Sequence, residues 1–102
     1  METLEIAKNT ENGILTLTLT GRLSIVTSPQ LSTEIDGIGS DIQTLRIVMA
    51  KIEYVSSAGL RVLVAAQKKM SAAGGVLEIT SPTSETLELF EMTGLKDIFT
   101  IK

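Results

Sequence analysis

Two adjacent serines, Ser56 and Ser57, stand where an apolar segment gives way to a long amphipathic one. A hydroxyl at such a junction has two uses. It can cap the helix by accepting a hydrogen bond from a free backbone N–H of the first turn. It can also carry a phosphate into the field of the helix N-terminus, where negative charge is favoured. The first use is structural. The second would make the site a switch, because a phosphate adds roughly −1.5 to −2 charge and three acceptor oxygens. Spacing alone leaves both uses open for either serine.

Few other chemistries are available. The chain has no histidine and no cysteine. It therefore lacks the usual general base, a thiolate nucleophile and the commonest metal ligands. No Gly-x-Ser-x-Gly elbow surrounds Ser57. Gly74-Gly75 lacks a Walker lysine and reads as a helix stop. An enzyme is not expected, nor a metal or cofactor. Lys+Arg number 9 against Asp+Glu 12, for a net charge of −3, and aromatics make up only 3% of the chain. Without a basic run or a stacking platform, nucleic-acid binding is not expected. Met1 to Lys8 reads as no signal peptide, and no apolar run is long enough to span a bilayer. The expectation is a soluble, cytoplasmic protein that does not insert into membranes. Its 102 residues, 43% of them hydrophobic, predict one domain over residues 1–102 with an aliphatic core.

The elements that must position the serines follow from periodicity. Leu4 and Ile6 alternate with polar neighbours, Asn12-Gly13 marks a turn, and Ile14 to Thr20 alternates cleanly. This predicts a hairpin whose second strand is dry on the Leu15, Leu17 and Leu19 side. Gly21 ends the strand. Thr27 or Ser28 can cap the first helix: Pro29 suits the position after Ser28, while Thr27 with Gln30 reads as a capping box. Leu31, Ile35 and Ile38 recur at helical spacing, and Gly37 and Gly39 end it. Leu45 to Met49 reads as a buried parallel strand. The helix after Ser56 presents Leu60, Leu63, Val64 and Met70 to the core, with Lys68 and Lys69 in its last turn. Val76 to Thr80 is the next strand. Ser81-Pro82 opens a third helix, with Leu87 and Phe90 inward and Gly94 as its stop. Met70 and Met92 are expected to fill core gaps. Glu85, Glu88 and Glu91 form an acidic stripe. Ile98 to Ile101 is a terminal strand or a helix stub.

Hairpin, then alternating helix and strand, predicts an α/β fold. Its mixed sheet is antiparallel at the hairpin and parallel through the βαβ units, with helices mainly on one face. Parallel strands ending near Thr20, Met49 and Thr80 bring three helix starts to one edge: Thr27/Ser28, Ser56/Ser57 and Ser81. Open α/β sheets bind their ligands at such an edge.

The segment Ile52-Glu53-Tyr54-Val55-Ser56-Ser57-Ala58-Gly59-Leu60-Arg61-Val62-Leu63 resembles the signature of the STAS domain family, and within it the small bacterial anti-sigma factor antagonists. Gly21 to Leu31 is similar to the family's loop and first helix, and Leu89 to Leu95 to its C-terminal motif. The resemblance implies a non-enzymatic partner switch. The unphosphorylated protein binds an anti-sigma factor, often a serine kinase, and so frees a sigma factor. Phosphorylation, here at Ser57, releases it, and a serine phosphatase restores binding. Partner contacts are expected at Ser24, Thr27, Ser56, Ser57, Ala58, Gly59 and Arg61. Gly59 would permit close approach of a partner or of the neighbouring backbone. Three positions depart from the family pattern: Ser24, Val48 and Ser56 stand where aspartate is common. An alternative role for such a domain is an unregulated subunit on the ATPase of a lipid-transporting ABC complex. Small-molecule binding at the hydroxyl-rich edge is a third.

Overall fold

The computed structural model describes residues 2–102. Strands β1 (Leu4–Glu11) and β2 (Ile14–Leu23) form an antiparallel hairpin in full register, Leu4 opposite Gly21 and Glu11 opposite Ile14. Asn12 and Gly13 both take positive φ at its turn, as a tight two-residue hairpin requires. There follow α1 (Ser28–Asp36), β3 (Thr44–Val55), α2 (Ser57–Ala72), β4 (Val76–Thr80), α3 (Ser84–Thr93), a 3₁₀ turn at Leu95–Asp97, and β5 (Thr100–Ile101). The sheet order is β1-β2-β3-β4-β5, antiparallel at the first pair and parallel at the other three.

The core sits on one face of this sheet. Leu15, Leu17 and Leu19 of β2, Leu45, Ile47 and Met49 of β3, and Leu77 and Ile79 of β4 are buried there. Leu31 and Ile35 of α1 and Leu63, Ala66 and Met70 of α2 cover them, and Leu60 and Val64 pack at the margin. Thr16, Thr18 and Thr20 point to the opposite, half-exposed face. The predicted α/β architecture is the one observed. The terminal segment is both a helical turn and a strand, anchored by Phe99 against Phe90 in an edge-to-face pair, 5.3 Å between centroids.

Several local expectations differ: β2 does not end at Gly21 but runs to Leu23, and on α3 Leu89 rather than Leu87 packs against the core with Phe90. β3 does not stop at Met49 but runs six residues further, to Val55. Two register shifts against β2 insert an extra β3 residue each. They turn the apolar spacing from two to three (Met49, Ile52, Val55), so alternation no longer marks the strand. α3 starts at Ser84 rather than at Ser81-Pro82. Ser81 turns the chain at φ 53°, and Thr83 is the cap, accepting from the Thr86 N–H at 3.2 Å. Met92 lies outside the core, 77% exposed.

Candidate functional site

All the parallel strands point their C-terminal ends to one edge, and β3 reaches furthest along it. Ser56 follows Val55 in extended conformation, and its N–H donates to the Leu23 carbonyl at 2.9 Å, which fixes the start of α2 beside the end of β2. The Ser56 Oγ accepts from the Gly59 N–H at 3.1 Å. Ser56 is therefore the N-cap. Ser57, the first helical residue, is exposed, and its hydroxyl has no hydrogen-bond partner among the described residues. Of the two neighbours, one hydroxyl is engaged and the other is unbonded among the described residues. The first turn of α2 carries no acidic residue, so the positive end of the helix faces solvent without a compensating carboxylate.

Gly59 is buried, and its lack of a side chain serves the neighbouring backbone. A Cβ there would stand 2.9 Å from the Leu23 carbonyl oxygen and 2.8 Å from Leu23 Cγ. Only glycine lets α2 sit this close to β2. Ala58 is half-buried, and Arg61, one turn beyond Ser57, is exposed.

The loop between β2 and α1 lies against this helix start. Ser24 and Thr27 were expected to face a partner; they are 1% and 2% exposed. The Ser24 Oγ accepts from the N–H groups of Val26 (3.2 Å) and Thr27 (3.3 Å). The Thr27 Oγ1 accepts from the Ser24 N–H at 2.9 Å and donates to the Arg22 carbonyl at 2.6 Å. These hydroxyls are consumed in closing the loop. Thr27 is the N-cap of α1 by position but makes no side-chain cap, and Gln30 reaches instead to the Leu4 carbonyl at 3.3 Å, so the capping box does not form. Inward hydroxyls push the intervening side chains out: Ile25 is 74% and Val26 67% exposed. Their signal in the sequence was two β-branched apolar residues inside a polar turn, where burial is hard to arrange. On the far side of Ser56, Tyr54 is half-exposed, with the Arg22 guanidinium 4.5 Å from its ring centroid. The accessible surface around Ser57 therefore comprises Ile25, Val26, Tyr54, Ala58 and Arg61; Ser24, Thr27 and Gly59 support it from beneath.

The STAS domain model matches residues 5–102. The chain belongs to the STAS domain family. It is 31% identical over 94 residues to the anti-sigma-B factor antagonist of Bacillus subtilis, covering 92% of this chain and 85% of that protein. An anti-sigma factor antagonist from Mycobacterium paratuberculosis superposes with a TM-score of 0.85 at 23% identity, covering 97% and 85% of the two chains. The Bacillus cell fate determinant SpoIIAA, in its phosphorylated form, superposes with a TM-score of 0.77 at 14% identity over 96% and 91%. These likenesses establish the STAS fold here. At Ser24 and Ser56, where the resemblance implied aspartate, each hydroxyl caps a turn in this chain. Val48, the third departure, pairs with Thr18 and Thr80 within the sheet, away from the helix start.

Proposed function

We propose that this protein is a non-enzymatic partner switch that binds an anti-sigma factor while Ser57 is unmodified and is released when Ser57 is phosphorylated. Its relatives are anti-sigma factor antagonists, and the anti-sigma-B factor antagonist supports such a role most directly. The single observation that carries the assignment to Ser57 is the free, exposed hydroxyl one residue past an occupied cap. Ser57 Oγ attacks the γ-phosphorus of ATP held by a kinase. The γ-phosphoryl group moves to Ser57, ADP leaves, and the hydroxyl proton passes to a base of the kinase. A phosphatase returns the serine by adding water to the phosphorus, which releases inorganic phosphate. The phosphate sits at a helix N-terminus, so it is tolerated by the fold. Its effect falls on docking: an apolar, nearly neutral patch around Ile25, Val26 and Ala58 gains a dianion and its hydration.

The test is to incubate the protein with the kinase-type anti-sigma factor of its own genome and ATP. One phosphate on Ser57 by mass spectrometry is expected. Ser57→Ala should bind and escape modification, and Ser57→Asp should bind at least about tenfold more weakly. An unmodified Ser57, or equal affinity of the Ser57→Asp variant, overturns the reading. Stable co-purification of unmodified protein with an ABC ATPase would favour the role of a transport subunit.

A further inference from the structure

Beyond Val48 the sheet is asymmetric. β4 ends at Thr80, opposite Val48, while β3 continues to Val55 with β2 on one side only. Its other side, over Met49–Val55, has no strand partner among the described residues. An unpaired edge of this kind is a template for an added strand. α3 does not close onto it. Between them lies a cleft of about 290 Å³. Val55 and half-buried Leu89 make its floor, and the exposed Tyr54 and Met92 stand at its sides. Three carboxylates, Glu53, Glu85 and Glu88, line the same cleft, and none has an ion-pair partner among the described residues. No cation lines it.

We propose that this cleft takes a basic, extended segment of a partner protein. The segment would lie along the free edge of β3, set an apolar side chain between Tyr54, Leu89 and Met92, and place lysine or arginine against Glu53, Glu85 and Glu88. Each feature excludes another occupant. The acidic rim repels an acidic peptide, a phosphorylated segment or an anionic lipid surface. The exposed apolar walls disfavour an empty, solvated state, since a methionine 77% exposed on an apolar cleft gains by being covered. A second copy of this chain would bring its own rim of carboxylates to the site. The cleft begins at Val55, two residues from Ser57. That continuity assigns the segment to the partner that reads Ser57, and this last assignment alone rests on the proposed function.

The probe is a blocked six-residue peptide of alternating lysine and valine, with its glutamate–valine counterpart as control, titrated into ¹⁵N-labelled protein. Amide shifts confined to residues 49–55 and 85–92 are expected with the basic peptide and not with the acidic one. They should fade in about 1 M salt, where the screening length is near 3 Å. In low salt the surface variant Glu85→Gln/Glu88→Gln should weaken the binding about fivefold, and Met92→Ser should weaken it too. Shifts spread elsewhere, equal response to the acidic peptide, or no response to either overturns the proposal. None of these results depends on Ser57, so phosphorylation failing in the previous experiment and the cleft failing in this one are separate outcomes.

Discussion

Ser56 and Ser57 are the same residue type one position apart, yet they have opposite energetic standing. The Ser56 hydroxyl satisfies a backbone donor of the first turn that would otherwise lack a partner. Ser56→Ala should therefore destabilise the fold by ~1 kcal/mol, read as a lower urea midpoint. Ser57→Ala should leave the midpoint within about 0.5 kcal/mol of wild type. Equal losses at the two positions would mean that the cap is shared and Ser57 is not free. Gly59→Ala should be the more damaging change. Its methyl meets the Leu23 carbonyl, backbone that cannot step aside, and α2 must move outward at a cost of about 1–3 kcal/mol. Spacing alone presented both serines as equivalent, and only the family resemblance singled out Ser57. Which of them is the cap follows from β3 running on to Val55, an extension that the two bulges hid from the alternation pattern.

The β2–α1 loop works as a unit. Ser24 and Thr27 turn inward and lock each other, so Ile25 and Val26 must turn outward. Replacing both with serine should leave the urea midpoint almost unchanged, because neither is packed in the core. It should weaken binding to the proposed anti-sigma partner by about tenfold or more, the expected loss for one or two uncovered apolar side chains. Full affinity in a calorimetric titration would remove this loop from the docking surface. The hairpin, the buried strands and the helix over Ser57–Ala72 were legible because one periodicity runs through each of them. The loop's inner and outer residues were not, since a hydroxyl in a turn reads alike whether it faces solvent or a backbone N–H. α3 was misplaced at its start for a related reason. Ser-Pro looks like a cap and first helical residue, but the Ser81 N–H donates to the Lys102 carbonyl at 3.2 Å, a long-range bond that no local pattern encodes.

At the scale of the whole molecule, carboxylates stand in two contrasting settings. Glu53, Glu85 and Glu88 line the cleft beside α3 without a cation partner among the described residues, while the buried acid, Glu78, is held on β4 by cations from two other parts of the chain. Lys102 Nζ lies 3.0 Å from one of its carboxylate oxygens and Arg46 Nε 3.0 Å from the other, tying β4 to the C-terminus and to β3. Their hydrogen bonds, that from Lys102 foremost and then that from Arg46, hold the Glu78 carboxyl below its ordinary value of 4.5 against the opposing effect of burial. A carboxylate with a lowered value in the folded state stabilises the fold above its unfolded value, and that contribution disappears as the pH falls through the folded one. Glu78→Gln should thus be less stable than wild type at pH 7, and the gap should narrow as the pH drops below about 4.5 and approaches the folded value. Urea midpoints of the two proteins measured from pH 7 down to pH 3 check this. A gap that stays constant across that range would show that Glu78 acts through packing rather than through its charge. The Ser57 edge lies far along β3 from this cluster, so the same titration should leave partner binding by the folded protein unaffected at the Glu78 step.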